Sequence, residues 1–166
     1  MNKLIIDDVK FKGLVSSICR EIAADDWKPD YIVGLTRGGL LPAVMISHYL
    51  NVPMQSLDVS LRDGGDCVSN LGMAEDAFEG KNILIVDDIN DQGSTLNWIM
   101  NDWPSGCFPL QEEKWERIWG NNVRFAVIVD NLSSQCAVGM NYWGMEVNKA
   151  ENNVWIEFPY EEWWTK

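Results

Sequence analysis

The stretch ILIVDDINDQGST, running from Ile83 to Thr95, restricts the possible folds more than any other part of the chain. Ile83 to Val86 is an unbroken aliphatic run of the length and composition of a buried strand. Two acids, Asp87 and Asp88, follow at once, a third acid, Asp91, stands three residues later, and Gln92-Gly93-Ser94-Thr95 then leads into a helix continuing through Leu96 and Ile99. A buried strand that ends in carboxylates and turns through residues that bare the backbone has to meet something polar at its carboxyl end.

Elements of the same kind repeat along the chain. Val9, Leu14, Ile18 and Ile22 have the spacing of one helical face, and the break Asp25-Asp26-Trp27-Lys28-Pro29 should end that helix. Tyr31 to Leu35 is a second short apolar strand, followed by a Gly-Gly turn and the largely apolar helix LLPAVMISHYL, stopped by Asn51 and Pro53. Met54 to Leu61 reads as another strand, and Phe125 to Val129 as a further buried one. Strand and helix in alternation predict an α/β fold, a mostly parallel twisted sheet flanked by helices on both faces. Residues 62–80 hold Gly64, Gly65, Gly72 and several acids without a period and are expected to be a flap. Residues 100–122 form an insertion in which QEEKWERIWG places Trp115, Ile118 and Trp119 on one helical face for packing on the domain or on a partner subunit.

At 166 residues with 46% hydrophobic content, the chain is the size of one domain, residues 1–166, with a sizeable core. No apolar run reaches the roughly 18 residues of a membrane span, and MNKLIIDDVK lacks the order of a signal peptide, so a cytoplasmic location is expected. Cys19, Cys67, Cys107 and Cys136 are scattered without a CxxC pair and read as reduced packing thiols. A formal charge of −12 repels phosphate backbones and anionic lipid, which argues against nucleic-acid and membrane partners. It leaves room for a small anion held by helix N-termini and backbone N–H groups.

In an open parallel sheet, ligands bind beyond the carboxyl ends of the strands, so the loops after Leu35 and Val86 should be neighbours. The first loop, Thr36-Arg37-Gly38-Gly39, offers N–H groups without side chains, a hydroxyl and a permanent cation. The second offers a carboxylate pair and, at Gly93-Ser94-Thr95, a helix start able to cradle a monophosphate. Either loop alone is ordinary turn and capping chemistry. Together they suit a ligand with one phosphate, a ribose and a separate pyrophosphate, the acid pair serving ribose hydroxyls or magnesium.

These residues resemble the type I phosphoribosyltransferases. ILIVDDINDQGST looks like their phosphoribosyl-pyrophosphate motif, YIVGLTRGGLLPA is similar to their pyrophosphate loop, and VWIEFPYE, Val154 to Glu161, resembles the Trp-Ile-Glu-x-Pro-Trp segment of the bacterial xanthine-guanine enzymes. The resemblance implies that a nucleobase, expected to be a purine of the hypoxanthine, guanine or xanthine kind, receives the phosphoribosyl group for nucleotide salvage, with magnesium as cofactor. Asp87 and Asp88 would hold the ribose hydroxyls and the metal. Asp91 would sit at the reacting carbon and base, Gln92, Gly93, Ser94 and Thr95 would cradle the sugar phosphate, and Thr36, Arg37, Gly38 and Gly39 the leaving pyrophosphate. Asp91, Asp88 and Arg37 would carry the catalysis. Residues 131–161 would bind the base, Trp155 stacking on it and the Ile156 carbonyl reading its edge, and a homo-oligomer, dimer or tetramer, is expected.

One position departs from the pattern. The purine enzymes have a lysine after the strand corresponding to Phe125 to Val129, and this chain reads Asp130-Asn131 there. An amide replaces a charge-assisted donor, and Lys149, from another loop, is a candidate substitute. The alternative is a regulatory module that binds phosphoribosyl pyrophosphate or a nucleotide with reduced catalysis. Arg62 is a candidate to reach pyrophosphate or to anchor the flap, and His48 reads as a structural or surface residue.

Overall fold

The computed structural model describes residues 2–59 and 67–166. In chain order the elements are β1 (Asn2–Ile5), α1 (Asp8–Ala24), β2 (Tyr31–Leu35), α2 (Leu40–Leu50), β3 (Met54–Leu57), α3 (Leu71–Phe78), β4 (Ile83–Asn90), α4 (Ser94–Gly106), α5 (Glu112–Glu116), β5 (Val123–Asn131), β6 (Tyr142–Val147) and β7 (Val154–Glu157), with a 3-10 turn at Trp163–Thr165. Five strands form one parallel sheet in the order β3-β2-β4-β5-β6, and β1 pairs with β7 in a separate parallel ribbon.

Strand periodicity divides the core in two. Ile32, Leu84, Val86, Ala126 and Ile128 point to one face, where α1 and α2 cover them. Tyr31, Val33, Leu35, Ile83, Ile85, Phe125 and Val127 point to the other, under α3, α4 and α5. Because successive side chains alternate, a run such as Ile83 to Val86 must be apolar throughout to fill both layers. The α/β expectation holds, with helices on both faces.

Several boundaries and faces differ from expectation. In α1, Asp7 caps the helix by accepting from the Lys10 N–H at 2.7 Å. Its buried face, however, is Phe11, Val15, Ile18, Cys19 and Ile22, and Val9 is 82% exposed. The strand expected over Met54 to Leu61 is β3, which ends at Leu57. The expectation of a flap over residues 62–80 fails in its second part, because α3 is capped by Asn70 and buries Met73, Ala74 and Ala77; Arg62, Gly64 and Gly65 lie outside the described residues. In the insertion, α4 runs to Gly106 and Trp115 and Ile118 are buried. Trp115 stacks on Trp119 at 5.5 Å and Trp119 on Phe125 at 6.1 Å, so these aromatics pack on the domain itself. Strands β1, β6 and β7 add pairing that apolar periodicity did not reveal.

The ribbon of β1 and β7 is anchored from beneath. Ile6, Ile156 and Phe158 enter the core on the α1 face, where Phe11 meets Phe158 edge to face at 6.4 Å. The residues following β7 are thereby carried back over the carboxyl end of the sheet.

Candidate functional site

The chain leaves β2 toward β3 on one side and passes from β4 to β5 and β6 on the other, so the order reverses between β2 and β4. At such a switch point the two outgoing loops diverge and leave a crevice at the strands' carboxyl ends. The Thr36–Gly39 loop fills one wall. The Thr36 hydroxyl donates to Asp58 Oδ1 at 2.7 Å, the Thr36–Arg37 peptide is cis, and Arg37 is exposed. Gly39 has no room for a side chain, since a Cβ would lie 2.3 Å from the Val86 carbonyl oxygen and 2.8 Å from the Leu35 backbone. At Gly38 a Cβ would fall 2.0 Å from Asp88 Oδ2, so the Asp88 carboxylate lies directly against this glycine.

Asp87 and Asp88 lie within β4, where a turn after Val86 was expected. Strand β4 continues to Asn90, paired with β5 through Asp87, Ile89 and Asn90, while its pairing with β2 ends at Val86. Past Val86 the strand is flanked on one side only among the described residues, and its acids meet the Thr36–Gly39 loop. Local backbone bonds orient both carboxylates: Asp88 N–H donates to Asp87 Oδ1 at 2.9 Å and Ile89 N–H to Asp88 Oδ1 at 2.8 Å. Two adjacent carboxylates are the hard oxygen donors that suit magnesium, which usually takes its other ligands from substrate oxygens and water. Among the described residues no group of three or more His, Cys, Asp or Glu side chains could hold a metal by itself.

Asp91, Gln92 and Gly93 turn from β4 into α4. Gly93 is the N-cap at φ 87°, and Ser94 and Thr95 form the first turn, whose N–H groups have no intrahelical acceptor. Gly93 has a packing reason of its own, since its α-carbon abuts the loop after β5, where a Cβ would lie 2.3 Å from the Cys136 nitrogen. That loop is fastened to the same turn: Gln135 N–H donates to the Gln92 carbonyl at 3.0 Å, and the Asn97 carboxamide bonds Gln135 and Ala137.

The opposite end of the crevice is assembled from three loops. Lys149, following β6, forms an ion pair with Asp91 Oδ1 at 2.9 Å, the two side chains only 15% and 17% exposed. Asn131, placed by sequence reading toward the base, is instead buried at the end of β5. Its Nδ2 donates to the Asp91 carbonyl at 2.8 Å, and its Oδ1 accepts from the Lys149 N–H at 3.0 Å and the Ser133 hydroxyl at 3.0 Å. Asn131 thus serves as a hub joining the Asp91 and Lys149 loops, and the cation at this end is Lys149.

Trp155 lies on β7 opposite Lys3 and is exposed, whereas Ile156 pairs with Leu4 and buries its side chain. Beyond them, Tyr160 reaches into the crevice and donates to Asp88 Oδ2 at 2.9 Å, with the Gly38 carbonyl at 3.3 Å. Sequence reading missed this contact and Asp58. The substitution of Tyr160 for the final Trp of the resembled segment was the one available signal. Burial and the Asp88 charge push the Tyr160 hydroxyl far above the usual tyrosine range, which keeps it a donor.

Residues 6–162 match the family described as phosphoribosyl transferase domain. Among curated relatives, xanthine-guanine phosphoribosyltransferase of Chromohalobacter salexigens is 31% identical over 151 residues, which cover 89% of this chain and 76% of that protein. Xanthine phosphoribosyltransferase 1 of Saccharomyces cerevisiae is 26% identical over 113 residues, 54% of each, and xanthine-guanine phosphoribosyltransferase of Idiomarina loihiensis 30% identical over 93 residues, 54% of this chain and 56% of that one. The chain spans about half the length of these last two relatives. Among solved structures, purine phosphoribosyltransferase from Pyrococcus horikoshii superposes with a TM-score of 0.66 at 24% identity, covering 98% of this chain and 96% of that one. Helicobacter pylori xanthine-guanine-hypoxanthine phosphoribosyltransferase gives 0.67 at 13% identity, covering 99% and 95%. The structural likenesses speak to the fold.

Proposed function

The chain belongs to the phosphoribosyl transferase family, and on that premise we propose that it transfers the 5-phosphoribosyl group of phosphoribosyl pyrophosphate to an oxo-purine base, releasing pyrophosphate in nucleotide salvage. The observation that carries this reading is the contact of Asp88 with Gly38 at the switch point, which sets the acid pair against the Thr36–Gly39 loop.

In this reading Ser94, Thr95 and the N–H groups opening α4 hold the sugar phosphate, and Asp87 and Asp88 hold the ribose hydroxyls. Arg37 and the N–H groups of Gly38 and Gly39 bind the pyrophosphate. Loss of pyrophosphate leaves oxocarbenium character on the ribose, so the reaction needs opposed charges held in place more than it needs a nucleophile. The Asp91 carboxylate stabilises that positive charge and accepts the proton the base gives up. Magnesium, held by Asp87 and Asp88, would add charge neutralisation on the leaving group.

Lys149 is the residue that favours an oxo-purine acceptor. Its ammonium stands at Asp91, within reach of a base placed there, and can serve as the charge-assisted donor to an exocyclic oxygen that Asn131 cannot be. The alternative, a nucleotide-binding regulatory role, was motivated by the missing lysine after β5, and the ion pair of Lys149 with Asp91 supports the transfer reading over it. Trp155 stacks on the base and the Ile156 carbonyl reads its edge. Two exposed tryptophans, Trp163 and Trp164, support association of the chain into a dimer or tetramer.

The test is to incubate pure protein with phosphoribosyl pyrophosphate, magnesium and a panel of purine and pyrimidine bases, assaying nucleoside monophosphate. Turnover is expected with hypoxanthine, guanine or xanthine. Absence of turnover with every base, together with no rise in melting temperature on adding phosphoribosyl pyrophosphate and magnesium, rejects the assignment.

A further inference from the structure

Tyr160 lies in the C-terminal segment, 72 positions from Asp88 and 122 from Gly38 along the chain, yet its hydroxyl meets both. The ring is fixed independently of those contacts, stacked on Phe158 at 5.6 Å and edge-on to Phe11 at 6.0 Å. Asp88 Oδ1 is meanwhile held by the Ile89 N–H. The hydroxyl therefore sets the remaining oxygen, Oδ2, against the Gly38 α-carbon, where any side chain would collide with it. We propose that Tyr160 is a positioning residue that fixes the Asp88 carboxylate against the Thr36–Gly39 loop and so ties the segment after β7 to the pyrophosphate end of the site. This inference rests on the phosphoribosyl transfer reading for its ligand.

Tyr160→Phe removes the hydroxyl and keeps the ring, so the fold is expected to persist. For the Y160F variant, affinity for phosphoribosyl pyrophosphate with magnesium should fall about tenfold, the scale of losing one hydrogen bond to a charged group. That is read both as Kd by calorimetry without base and as KM, while the nucleobase KM stays within about twofold. In a D88A background, which removes the acceptor, the same change should cost less than about twofold. An unchanged Y160F overturns the tether, and so does an equal loss for both substrates or a full tenfold loss in D88A. If wild-type protein neither binds phosphoribosyl pyrophosphate nor turns over, the transfer reading itself fails; if wild type is active and Y160F matches it, only the tether fails.

Discussion

At the end of the crevice where the phosphates are proposed to bind, Thr36–Gly39 and Asp91–Thr95 are each one continuous turn from a strand into a helix, and their polar groups are largely local backbone N–H and hydroxyl groups. At the end proposed for the base, Asp91, Asn131 and Lys149 come from the turn after β4, the end of β5 and the loop after β6, joined by an ion pair of 2.9 Å and the carboxamide of Asn131. A site built from local turns takes its groups from neighbours in the chain, yet here it is still braced from a distance, Thr36 by Asp58, Gln92 by Gln135 and Gly38 by Tyr160. One built across loops depends on every strand that places them, here β4, β5 and β6. On the proposed reading, the anion-binding groups come from short continuous turns, whereas the cation offered to the base, Lys149, is brought to Asp91 from a different strand's loop.

The comparison can be broken most forcefully at Asp91, which belongs to both ends. Asp91→Asn is expected to lower kcat about 100-fold, the range of general acid–base catalysis, with little change in the Kd for phosphoribosyl pyrophosphate. Equal loss of both in calorimetry and steady-state kinetics would contradict its place at the reacting carbon. Next, replacing Ser94 and Thr95 together by Ala should cost about 30-fold in kcat/KM for phosphoribosyl pyrophosphate and leave the nucleobase KM in place, as befits a local phosphate cradle. Lys149→Met should do the reverse, raising the nucleobase KM about tenfold while phosphoribosyl pyrophosphate binding is kept, with partial rescue by Lys149→Arg. A K149M variant that loses both substrates equally would mean that the lysine only holds Asp91.

The smallest effect lies away from the site and serves as a baseline. The Tyr142 hydroxyl and the Arg124 guanidinium hold the Asp25 carboxyl below the usual range. A carboxyl depressed by folding contributes stability present above its unfolded pKa and lost as pH falls through the folded one. Thermal melts of Asp25→Asn against pH should therefore show a slightly lower melting temperature at neutral pH, converging with wild type in acid, with substrate constants unchanged. A shift in either substrate constant would mean that the two ends are coupled to the rest of the sheet.

Strand β2 and helix α2 were readable to the residue, because buried apolar runs bounded by Gly, Asn and Pro have few alternatives. Strand β4 was read too short, since Asp87 and Asp88 look like turn residues until β5 is seen pairing alongside them. Helix α3 was hidden because its few buried positions are small or flexible and it follows a glycine-rich stretch. The position of Asn131 after β5 reads as facing a ligand, because nothing nearby in the sequence shows that its carboxamide bonds Lys149 and Asp91.

By itself the sequence determined the parallel α/β frame, the two loops at its carboxyl edge and the acid pair between them, because each depends on neighbours close in the chain. Only the tertiary structure decided that Lys149 meets Asp91, that Asn131 is a buried hub and that Tyr160 closes on Asp88. The physical reason is distance along the chain: these contacts join residues from 18 to 72 positions apart, and the strand order and register that bring them together are a property of the whole sheet.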